Sequence, residues 1–132
     1  MEQRGHRPSG QAGSATLEFA LVLPLVLIMA LALLQVGLLV KDELVVEEAA
    51  RAGAREASVT ADDGVVRTAA TRAAGTLDPR LLTIDVGRDG GVGDPVTVRV
   101  RYAAPISVPV VAWLFPSRVA LSGDATMRQE TG

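Results

Sequence analysis

GQAGSATLEFALVLPLVLIMALALLQVGLLVKDE, residues 10–43, decides how the rest of the chain is read. From Phe19 to Val40 it runs for 22 residues without a formal charge. In helical form that stretch reaches about 33 Å, against about 30 Å for the hydrocarbon core of a bilayer. Only Pro24, Gln35 and Gly37 interrupt it, and spanning helices tolerate all three. The buried helix of a soluble domain shows apolar runs of only about 10–14 residues, so a membrane span is expected. Pro24 deletes a backbone donor and crowds the carbonyl of Ala20, which predicts a kink or local unwinding.

The flanks suggest an orientation. Arg4 and Arg7, with His6, precede the run, whereas Lys41 is followed by Asp42, Glu43, Glu47 and Glu48. Counting Lys and Arg favours a cytoplasmic N-terminus, with residues 41–132 outside the inner membrane. Cleavage as an ordinary secretory signal is disfavoured. An h-region is about 7–15 residues long, and cutting at Ala30-Leu31-Ala32 would leave LLQVGLLV as a greasy new end.

Composition narrows the classes further. The chain has 132 residues, 48% of them hydrophobic, with a net charge of −2. Such a balance lacks the basic patch of a nucleic-acid binder. With no cysteine, thiol chemistry and disulfides are excluded, although the compartment stays open. The lone histidine, His6, lies in the short leader without companion ligands, so no metal site is expected. GRDGGVGDP, residues 87–95, lacks the spacing of a phosphate loop and reads as a turn. Asp89 and Asp94 fall short of the alternating carboxylates of a calcium loop. No catalytic residue, cofactor or small-molecule substrate is indicated.

GSATLEF, residues 13–19, carries the one resemblance in the chain. A basic leader, a glycine, four small or apolar residues, then Glu and Phe opening an apolar helix resembles the type IV prepilin pattern. That resemblance implies a prepilin peptidase cutting after Gly13, which leaves Ser14 as the mature N-terminus and Glu18 as its fifth residue. It also implies that Glu18 pairs with the α-amine of a neighbouring subunit, which would offset the cost of a carboxylate at the bilayer. ATLEFALVLPLVLIM, residues 15–29, is more narrowly similar to the TadE-like family, pilin-like proteins of tight-adherence (Flp-type) pilus systems. VEEAARAGAREA and the closing SGDATMRQE also resemble features of that family. The likeness implies a non-enzymatic pseudopilin whose partners are other pilin-like subunits, the assembly machinery and the lipid bilayer. The alternatives are an unprocessed signal-anchored envelope protein with a protein-binding outer domain, or a domain released near Ala32.

Beyond the span, periodicity predicts an α+β domain. Val46, Ala49, Ala50, Gly53 and Ala57 recur at helical spacing, so the first helix is expected to continue to about Ser58. Glu47 and Arg51 form an i, i+4 pair on its other face. Thr60 to Asp63 resembles a capping box opening a second helix that ends near Ala74, with Gly75 and Pro79 beyond. From Leu81 the period changes to two, and Leu82, Ile84 and Val86 are followed across RDGGVGDP by Val96, Val98, Val100 and Tyr102. That is the signature of an antiparallel hairpin, and Val119 to Met127 predicts a third strand. Trp113 and Phe115, between the second and third strands, are expected to cap the small core, with contact to lipid headgroups as the alternative.

Overall fold

The computed structural model describes residues 10–131, with side chains from Gly13 onward, so Arg4, His6 and Arg7 lie outside the described residues. The order of elements is α1 (Gly10–Val59), α2 (Asp63–Ala73), β1 (Leu82–Arg88), β2 (Pro95–Pro105) and β3 (Arg118–Arg128). Short 3-10 turns at Pro79–Leu81 and Pro109–Leu114 lead into β1 and join β2 to β3. The three strands form one antiparallel sheet in the order β1-β2-β3, giving the expected α+β arrangement. α1 and α2 pack on each other, and α1 lies across β2 and β3.

Alternation along the strands sets the core face, because successive side chains point to opposite sides of a pleated sheet. Register then stacks the inward residues in rows: Leu82–Tyr102–Leu121, Ile84–Val100–Gly123 and Val86–Val98–Ala125. Val96, Val98 and Val100 are fully buried, and full burial of such a side chain contributes about 1.5–3 kcal/mol. The opposite face is polar and exposed, with Thr97 and Thr126 sharing a hydroxyl hydrogen bond of 2.7 Å and Arg101 paired with Asp85.

The helix side of the core is built from small residues. Val46, Ala49, Ala50, Ala54 and Ala57 are all fully buried, and short side chains let the helix backbone come down close to the sheet. Two glycines mark the nearest approaches. A Cβ on Gly53 would stand 2.9 Å from Cγ1 of Val98. One on Gly123 would stand 2.9 Å from the Cα of Glu47. Glu47 accepts a 2.9 Å hydrogen bond from Arg51 on the exposed face, as the spacing predicts.

α2 starts later than the capping pattern suggests. Asp62, not Thr60, is the N-cap, its carboxylate accepting from the Gly64 N–H at 2.8 Å, while the Thr60 hydroxyl accepts from the Asp62 N–H. A carboxylate at that position answers an unpaired amide and the positive end of the helix together. At the next turn Asp78 caps in the same way, accepting from the Arg80 N–H and from the Arg80 guanidinium. The guanidinium bond, with the backbone bond second, holds the Asp78 carboxyl below the usual carboxylate range.

The C-terminus of α1 is closed from far along the chain. The last four carbonyls of a helix have no partner within it. Here the Glu56 carbonyl accepts from the Thr60 N–H, and the Ser58 carbonyl from the Glu130 N–H at 2.7 Å. The Val59 carbonyl accepts from the Thr131 hydroxyl at 3.0 Å. The Ala57 carbonyl accepts from Arg88 at 3.1 Å. The same guanidinium donates to the Thr60 carbonyl, to Oε1 of Gln129 and to Oδ1 of Asp63. α1 has no basic residue in its own last turn, so β1 supplies the cation that this end of the helix dipole favours.

Candidate assembly helix and membrane-proximal collar

α1 is a single helix of 50 residues, and its two halves face different surroundings. From Leu17 to Leu27 every residue is exposed, including Leu17, Phe19, Leu21, Leu25 and Leu27. An 18-residue stretch of the helix reaches a mean hydropathy of 2.7 with only 6% of it buried. A helix apolar on all sides and uncovered by its own chain has the character of a membrane span. The helix is long and apolar enough to cross a bilayer once.

The residues singled out at its N-terminal end share two turns. Gly13 is exposed, with open space where a Cβ would stand. The Ser14 hydroxyl lies 3.4 Å from Oε1 of Glu18 as an exposed i, i+4 hydrogen bond. Gly13, Ser14 and Glu18 are thus brought together by helical geometry alone, and no part of the sheet or α2 joins them. Pro24, also exposed, lies six residues beyond Glu18, and α1 passes through it without unwinding.

Gln35 is different. Its relative exposure is 1% in the middle of an apolar run, and its Oε1 accepts from the backbone N–H groups of both Ser107 and Val108 at 3.0 Å. A single side chain therefore satisfies two amides of the β2–β3 connection and pins that connection against α1. The hydrogen-bonded contact between this connection and α1 lies five residues before Val40, and Ile28, Leu31 and Ala32 on the preceding turns are half-buried. The sequence treats Gln35 only as a tolerated interruption; an amide side chain inside an uncharged run, with a proline-rich segment available to meet it, was the signal.

The connection that Gln35 holds forms a collar around one side of the helix. Val111 is fully buried, whereas Trp113 is 72% exposed and donates its indole N–H to the Val110 carbonyl at 3.1 Å. The expectation that Trp113 caps the core is therefore incorrect. In a 3-10 turn residues i and i+3 eclipse one another, so Val110 and Trp113 share the outward side while Val111 turns inward. Phe115 is half-buried.

Elsewhere the surface offers little chemistry. The turn after β1 is held by its own atoms, with the Asp94 carboxylate accepting from the Gly91 N–H at 3.0 Å and Gly93 adopting φ +93°. Among the described residues no three His, Asp or Glu side chains converge as metal ligands. An open groove between α1 and α2 is lined by Glu56, Asp62, Val65, Thr68 and Arg72.

A single apolar helix, long enough to cross a membrane once, that continues into a small α+β domain as its core helix defines the class. Residues 13–55 match the family model described as TadE-like protein, which begins at Gly13 and ends within the core half of α1. This is the family that the N-terminal sequence resembles. Neither a curated protein nor a solved structure matches the chain.

Proposed function

We propose that the protein is a pilin-like subunit, a pseudopilin, that takes part without enzymatic activity in assembling a tight-adherence pilus or a related secretion apparatus. The observation that carries this reading is the coincidence of the TadE-like match with α1, starting at Gly13 where Ser14 and Glu18 lie on the exposed end of an all-apolar helix. A prepilin peptidase would cut the Gly13–Ser14 bond, removing residues 1–13. Residues 14–40 would lie in the inner membrane as the assembly helix, N-terminus towards the cytoplasm, with residues 41–132 outside. The freed α-amine of Ser14 in one subunit would pair with Glu18 in the next. A carboxylate at the edge of a bilayer is tolerated when an opposite charge meets it. Pro24 would bend the helix where subunits pack around it.

The N-terminal residue of the protein recovered from membranes, read by mass spectrometry, tests this. Ser14 is the expected result, and Glu18→Ala is expected to insert normally while blocking assembly. An intact N-terminus would instead favour an unprocessed signal-anchored envelope protein. That second reading draws on one feature: α1 begins at Gly10, so the Gly13–Ser14 bond is helical and must open before a peptidase can cut it. A start at Leu33 would indicate release by signal peptidase.

A further inference from the structure

We propose that the β2–β3 connection is a second membrane contact, inserting Val110, Trp113 and Leu114 into the interfacial layer of the same bilayer that α1 crosses, with Gln35 as its fastening. The inference rests on α1 being a membrane span and adds a role for a part of the outer domain that lies outside the TadE-like match.

Position is the first argument. Gln35 lies five residues before the end of the apolar run, about 7–8 Å below Val40 along the helix axis. The polar layer on each side of a bilayer is about 5–7 Å thick. Because the apolar run itself matches the hydrocarbon core, a segment fastened at Gln35 lies just below that polar layer, among the outermost acyl chains.

Composition is the second. From Tyr102 to Ser117 the chain has 16 residues and no charge, in a protein that is 21% charged overall. Trp113 is 72% exposed, Val110 57% and Leu114 45%. On a surface facing only water such a cluster is a liability, while contiguous exposed apolar side chains mark an interaction site. Tryptophan in particular favours the membrane–water boundary, where its ring meets acyl chains and its N–H meets polar groups.

Continuity and backbone satisfaction complete the case. Leu34 and Val36, which flank Gln35 on α1, are exposed apolar residues, so lipid that covers the helix there also meets the connection fastened to Gln35. Irregular backbone is tolerated near hydrocarbon only where its polar groups are satisfied by protein. Gln35 satisfies the Ser107 and Val108 amides, and the turn itself satisfies those of Val111 and Phe115. A sheet loop held clear of the membrane would have no use for an acceptor buried in the spanning helix.

Trp113 is the only tryptophan, so the unmodified chain reports on its own loop. The full-length protein is reconstituted in phosphatidylcholine vesicles, and retention after alkaline extraction establishes insertion. Its fluorescence is then titrated with lipids brominated high on the acyl chain and, separately, with iodide in the aqueous phase. The expected result is blue-shifted emission, strong loss of signal to the bromolipid and little loss to iodide. Gln35→Leu, which keeps the helix apolar, is expected to insert equally well but to lose much of the bromolipid quenching. Insertion with Trp113 open to iodide would overturn the proposal while leaving the membrane reading intact. Shielding from both quenchers would place a second copy of the chain on the patch and overturn it too. Failure to insert would overturn both readings together. Unchanged bromolipid quenching in Gln35→Leu would overturn the assignment of Gln35 as the fastening.

Discussion

Gly123→Val is expected to destabilise the folded domain by about 3 kcal/mol, at the upper end of the usual cost of overpacking. The reason is what surrounds the missing side chain. A Cβ there would stand 2.9 Å from the Cα of Glu47, 3.0 Å from its nitrogen and 3.2 Å from the carbonyl carbon of Val46. These are backbone atoms of α1 and have no rotamer with which to withdraw. The helix would have to lift from β3, opening space over Val100 in the same row. Valine's preference for strands returns at most about 1 kcal/mol and does not reverse the sign. Urea unfolding of the full chain in detergent, followed by hydrogen exchange of β2 amides, measures the loss. An unchanged midpoint would mean that α1 rides on the sheet more loosely than its spacing implies.

Arg88→Met should cost a similar amount, about 3 kcal/mol, for a different reason. The substitution keeps the stem but leaves the Ala57 and Thr60 carbonyls, Oε1 of Gln129 and the Asp63 carboxylate without their donor. Each buried group left unpaired costs about 1–3 kcal/mol. The sum is tempered because the Arg88 side chain is 19% exposed and water reaches part of the site. Arg88→Lys retains the charge but not the fork of donors, and should fall between the two. The same urea titration checks the order. If Arg88→Lys equals the wild type, the four-way bridge is not what closes the helix end.

Those two positions show where reading the sequence succeeds and where it stops. Gly123 was legible as an inward residue of the third strand, because alternation through Leu121, Gly123 and Ala125 fixes its face. Its closeness to Glu47 was not, since that distance depends on how a distant helix settles. Arg88 was hidden by its neighbours: it opens the string RDGGVGDP, whose glycines and aspartates announce a turn. The strand instead runs one row further, so Arg88 occupies the inward position opposite Val96. A charged residue at an apolar register position is explained only once the end of α1 is found beside it.

The functional end of the chain divides in the same way. The apolar run and the cluster of Gly13, Ser14 and Glu18 are local patterns, and the TadE-like match covers that portion. Gln35 and Trp113 depend on a contact across more than 70 residues of sequence, and no local pattern encodes its partner. A domain poor in large side chains points Trp113 to the core. Small residues and close backbone approach fill that role instead, freeing the aromatic ring for the surface.

The absence of any linker in α1 makes the helix a lever. Gln35 and Val59 are separated by about 36 Å of continuous helix, and the residues beyond Val46 are locked into the sheet. A tilt of about 20°, ordinary for a membrane helix, would swing the Val59 end sideways by about 12 Å and carry the whole sheet with it. Neighbours that gripped the apolar half would steer the sheet-bearing half directly, with the angle of the helix setting where the sheet stands.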